Sequence, residues 1–129
     1  MIKAMNHITI NMKDKEKTFW FYGELLGLKK LHEVDMGDHY IYYYQLPSDI
    51  RLELIEYLYD TPSEHPQYTS RGIYRHVAFE VEDVQELKST LVSNGIKILE
   101  GPNPSEKLGV HFMLIEDPNG VEMEFVQPL

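Results

Sequence analysis

Polar and apolar positions alternate along residues 3–11 (KAMNHITIN), with Ile8 and Ile10 on one face and His7, Thr9 and Asn11 on the other. That period of two predicts a β-strand. The period lengthens over residues 14–26. There Asp14 can N-cap a helix, Thr18, Phe21, Tyr22 and Leu25 share a face, and Gly27 suits the C-terminal stop. Gly23 is the weak point of that helix. Strands are expected at 28–34, 39–46 and 50–58, with turns at Gly37-Asp38 and Pro47-Ser48-Asp49. A polar, proline-bearing stretch fills 60–72, and then the pattern restarts. Residues 73–81 read as a strand. Residues 83–94 read as a helix opened by Asp83 with Glu86, striped by Val84, Leu87, Leu91 and Val92, and closed at Asn94-Gly95. Strands follow at 96–100, 109–116 and 120–127, the last two joined by the turn Asp117-Pro118-Asn119-Gly120.

Each half is therefore βαβββ, and the halves are in register. An offset of 69 residues takes His7 to His76 and Asp14 to Asp83. The offset is 68 between LGLKKL at 26–31 and NGIKIL at 94–99, and 71 between Glu53 and Glu124. A near-constant offset through strand, helix cap, helix stop and last strand marks an internal repeat. The expected fold is one α+β domain over 1–129, with module 1 at about 1–59, a linker at 60–72 and module 2 at 73–129.

Composition narrows the field. A chain of 129 residues with 43% apolar content can bury a real core. A formal charge of −9, with 12 basic residues spread along the chain, argues against nucleic acid and an anionic membrane as partners. No apolar run is long enough to span a bilayer, and the N-terminus lacks the apolar core of a signal peptide. With no cysteine, neither disulfides nor thiolate ligands are available, and a cytoplasmic protein is the simplest reading.

The repeated histidines and glutamates carry the chemistry. His7 and His76 sit on the strand face opposite Ile8, Ile10, Val77 and Phe79, which read as the side packed under the helices. Glu53 lies between Leu52 and Leu54, and Glu124 between Met123 and Phe125. A carboxylate in the middle of an apolar strand is costly to bury unless paired or bound to a cation. Two such glutamates, each matched to a histidine, point to a divalent metal. A set of nitrogen and oxygen donors without sulfur suits Zn, Ni, Co, Mn or Fe(II).

Other residues read more plainly. Tyr40, Tyr42 and Tyr44 form an aromatic strand face, expected to pack rather than to line a cavity, opposite Ile41 and Tyr43. Trp20, Phe21 and Tyr22 read as helix packing. Arg51 and Arg71 read as surface charge, with a substrate carboxylate as the alternative. His111 is a candidate to point into the cavity, whereas His32, His39 and His65 are expected to be solvated. Residues 101–109 suit either a lid or a plain polar connection.

The motifs NHITI, FWFYGELLGLKKL, RLELIE, RHVAFEVEDV and EDPNGVEMEFVQ together resemble the vicinal oxygen chelate superfamily, and within it the glyoxalase I type (lactoylglutathione lyase). The resemblance covers the whole chain. It implies two βαβββ modules forming a half-open curved sheet around a metal, often as a homodimer. The site could then form within one chain or across the dimer. It implies that His7, Glu53, His76 and Glu124 are the metal ligands and that a small α-hydroxy or keto substrate, such as a thiol adduct, is isomerised through a metal-stabilised enediolate. Glu124 would be the base and Glu53 the second acid/base. The same scaffold also serves CoA-thioester epimerases, extradiol-type dioxygenases and non-enzymatic resistance proteins that sequester a ligand. Glutathione-using members carry an Arg shortly after the first His and an Asn just after the first Glu. This chain has Asn11 and Tyr57 there.

Overall fold

The structure, a computed structural model, describes residues 1–63 and 67–129. His65, expected above to be solvated, lies outside the described residues. The chain divides into two compact units, Met1–Glu64 and His65–Leu129.

In the first unit, β1 (His7–Asn11) leads to a helix, α1 (Lys15–Phe19), which continues as a π-helix over Trp20–Leu25. Then come β2 (Lys30–Asp35), β3 (His39–Gln45) and β4 (Arg51–Tyr57). The sheet order is β1-β4-β3-β2, with β1 parallel to β4 and the other pairs antiparallel. Asp14 accepts from the Lys17 backbone N–H, as the sequence suggests, and so starts the helix. The widening to a π-turn falls at Gly23, where a Cβ would stand 3.2 Å from the Tyr44 ring. The expected weak point is thus where the helix lies against Tyr44 of the sheet. Phe21, Tyr22, Tyr42, Tyr44, Leu52, Leu54 and Ile10 form the core. Phe19 meets Tyr42 edge-on at 4.9 Å, so the aromatic strand face does pack under the helix.

The second unit repeats this plan with β5 (Val77–Glu80), α2 (Val84–Ser93), β6 (Lys97–Ser105), β7 (Val110–Glu116) and β8 (Glu122–Pro128). Its sheet order, β5-β8-β7-β6, is the first unit's order over again, with β5 parallel to β8. Asp83 caps α2 through the Glu86 N–H, and Gln127 of β8 accepts from the Val84 N–H. Val84, Leu91, Met113, Ile115, Met123 and Phe125 make this unit's core. Neither four-stranded sheet closes into a barrel.

Three expectations change. The strand expected at 73–81 is observed only over Val77–Glu80, its ladder opening with Val77 opposite Met123. His76 therefore precedes the strand. Of 101–109, considered as a lid or a plain connection, residues 101–105 extend β6, paired with β7 as far as Ser105 opposite Val110, and residues 106–109 form the turn into β7. Pro102 and Pro104 are accommodated there because β6 is the edge of its sheet and its register shifts between Glu100 and Asn103. Gly101 is obligatory in this bulge: its φ is +84°, and a Cβ would stand 2.4 Å from the Phe112 carbonyl oxygen. Finally, the stretch read as a linker is partly built into the second unit. The Tyr68 hydroxyl donates to Glu116 and to the Gly120 carbonyl.

Candidate functional site

Strand register places the same residue positions together in both units. In the first, His7 is opposite Arg51 and Thr9 opposite Glu53 across the β1–β4 ladder. In the second, Ala78 is opposite Glu124 across β5–β8, with His76 and Glu122 one pleat further back. Leu52, Leu54, Met123 and Phe125 turn into the cores, so Glu53 and Glu124 face away from the helices. Each unit thereby holds one histidine–carboxylate pair. The His7 Nε2 is 3.5 Å from a Glu53 oxygen, and the His76 Nε2 is 2.9 Å from a Glu124 oxygen. Among the described residues, no group of three or more His, Cys, Asp or Glu side chains is gathered to hold an ion.

The two carboxylates differ in what holds them. Glu53 is buried and takes two hydroxyl donors, Tyr43 at 2.9 Å and Thr9 at 3.2 Å. Tyr43 is clamped in turn, stacked on His32 at 4.7 Å with the Arg51 guanidinium 4.6 Å from its ring centre. Burial first, and then the hydrogen bond to Glu53, raise the Tyr43 pKa above its ordinary value, so Tyr43 stays a donor across the physiological range. The register counterparts in the second unit are Ala78 and Leu114, which have no hydroxyl. Among the described residues, Glu124 has His76 as its side-chain partner.

The groups beneath the histidines differ as well. The His7 Nδ1 meets the Asn6 side-chain oxygen at 2.7 Å, and Arg51 donates to that same oxygen at 3.2 Å. Below His76 stands Glu122, only 1% exposed, which accepts from Arg75 through Nε at 2.9 Å and Nη2 at 3.2 Å. These bonds push the Arg75 pKa further above its already high value. The His76 Nδ1 is buried, makes no hydrogen bond, and lies 3.6 Å from a Glu122 oxygen.

Donor chemistry and orientation both fit a divalent ion. Imidazole nitrogens and carboxylates suit borderline and hard cations, and both histidines turn Nε2 toward a carboxylate while Nδ1 points back into the protein. Other expected residues fall elsewhere. His111 shares the face of Met113 and Ile115, so it looks toward α2's side of the sheet and not toward Glu124. His39 pairs with Asp38 at 2.6 Å, and Arg71 is exposed. Tyr43, Thr9, Asn6, Arg75 and Glu122 escaped the sequence reading. Strand parity could have found Tyr43, whose register partner is Glu53, and the offset of 71 that matches Glu53 to Glu124 also matches Arg51 to Glu122.

Two βαβββ units, each with a histidine and a carboxylate at the same register on the sheet face away from its helix, define a duplicated α+β scaffold. The chain belongs to the Glyoxalase/Bleomycin resistance protein/Dioxygenase superfamily, which it matches over residues 4–125. It is 24% identical over 123 residues to a probable lactoylglutathione lyase of Synechocystis sp., the match covering 94% of this chain and 92% of that protein. It is 30% identical over 128 residues to the metallothiol transferase FosB of Staphylococcus saprophyticus, covering 96% of this chain and 76% of that one. Among solved structures, a glyoxalase family protein from Enterococcus faecalis superposes with a TM-score of 0.79 at 26% identity, covering 96% of this chain and 97% of that one. The curated relatives it matches are enzymes. No helix among the described residues is long and apolar enough to cross a membrane.

Proposed function

We propose that this protein is a metal-dependent lyase or isomerase of the glyoxalase I type, with His7, Glu53, His76 and Glu124 as the ligands of one divalent ion. The observation that carries this reading is the matched pair of half-sites, a histidine and a carboxylate at equivalent register in each unit. The bound ion supplies a Lewis acid that polarises a substrate oxygen and offsets the negative charge developing there. Glu124 acts as the base. It takes the proton from a carbon beside a carbonyl and returns it to the neighbouring carbon. Such a base must move, and Glu124 lacks the two hydroxyl donors that hold Glu53. Glu53, pinned by Thr9 and Tyr43, serves first as a fixed ligand and second as the other acid/base group. The substrate is a small molecule with adjacent oxygens. With Asn11 and Tyr57 at the clamp positions, a thiol adduct other than glutathione's is favoured.

Metal analysis of the purified protein tests the core of this reading, with one divalent ion per pair of half-sites expected. Glu124→Gln should lower turnover by about 10²–10⁴-fold, the usual contribution of a general base. His7→Ala and His76→Ala should lose the metal itself. A Glu124→Gln protein with full metal content and full activity would remove Glu124 from the mechanism. A second reading, thiol transfer to an electrophile, is favoured by the similarity to the metallothiol transferase. Assays with methylglyoxal plus a series of thiols, set against the same thiols with a non-aldehyde electrophile, separate the two.

A further inference from the structure

The histidines differ in the acceptor behind them, and Glu122 is the least explained group in the molecule. A carboxylate 1% exposed is expensive to bury, and Arg75 alone, half exposed, would be satisfied at the surface. The Nδ1 of His76 is the one buried side-chain nitrogen or oxygen without a hydrogen-bond partner among the described residues, and a Glu122 oxygen stands 3.6 Å from it. We infer that Glu122 is a positioning residue for His76: its carboxylate faces Nδ1, keeps the imidazole proton on that nitrogen, and so leaves Nε2 as the metal-binding nitrogen. The first unit performs the same task with the parts exchanged. There the arginine, Arg51, comes from β4 and the acceptor, Asn6, from the segment before β1. In the second unit the arginine precedes β5 and the acceptor lies on β8. Each histidine thus backs onto an oxygen that an arginine holds in place. The amide oxygen of Asn6 is neutral and the Glu122 carboxylate is charged, so His76 is the more electron-rich donor and holds the ion more firmly than His7.

This inference rests on the proposed metal site. Its test uses zinc-loaded wild type and Glu122→Gln, reading zinc affinity by chelator competition and imidazole protonation by long-range 1H–15N correlation. In the wild type, His76 should show its proton on Nδ1 with Nε2 bound to zinc. Glu122→Gln should weaken zinc binding about 10–100-fold, as loss of an outer carboxylate does, and Glu122→Asp should recover part of it. Asn6→Ala should weaken zinc by a smaller factor. Zinc on the His76 Nδ1, or affinity unchanged in a folded Glu122→Gln, overturns the inference while the metal site stands. If Glu122→Gln does not fold, the wild-type spectrum still decides which nitrogen carries the proton. A wild type that takes up no zinc overturns the metal site, and this inference with it.

Discussion

Hydroxyl groups separate the two halves more sharply than their histidines and carboxylates do. Thr9 and Tyr43 make Glu53 a fixed carboxylate, whereas Ala78 and Leu114 leave Glu124 with His76. The equivalence of His7 with His76, and of Glu53 with Glu124, was legible in the sequence because their spacing repeats. What surrounds them was not, because Tyr43 looks like one more aromatic in a run and Glu122 like one more acid on a strand. Only register shows that each meets the site. On the opposite face of β3, Tyr42 gives a pH handle. Burial and then its hydrogen bond to Glu56 raise its pKa to about 12 from 10.0. A phenol with a raised folded-state pKa stabilises the fold fully below the unfolded value and loses that contribution as pH climbs through the folded one. The melting temperature should therefore fall between pH 10 and about 12. Tyr42→Phe should flatten that fall, which a series of thermal melts across the window would read.

At the scale of elements, the two helices start alike and end differently. Asp14 and Asp83 each accept from the backbone N–H three residues on. The caps were readable in the sequence because an aspartate before an apolar-periodic run has one economical use. The π-helical continuation of α1 was not, because Gly23 signals only a weak helix position until Tyr44 is seen against it. The extension of β6 through Pro102 and Pro104 was missed for a related reason: proline reads as a break unless the strand is known to be an edge. Replacing Asp83 with Ala should cost about 1 kcal/mol, seen as a lower urea midpoint with an unchanged slope. The Gln127 side chain still holds the Val84 N–H, so α2 should survive the change.

For the whole molecule, the shared topology of the units means that each carries an equivalent histidine and carboxylate on its own small core. The ion of the proposed site would stabilise the folded chain by mass action, about 2.7 kcal/mol at a hundredfold excess over its dissociation constant. Stripping the metal with a chelator should lower the melting temperature by several degrees. Restoring zinc should recover it in the wild type and not in His76→Ala, as differential scanning fluorimetry would show. The prolines of β6 have a consequence of another kind. A sheet edge with a continuous row of backbone donors is a template on which a foreign strand can add, the first step of aggregation. Pro102 and Pro104 have no N–H to offer along this outer strand. This margin of the second unit is thereby a poor seed for intermolecular β-pairing.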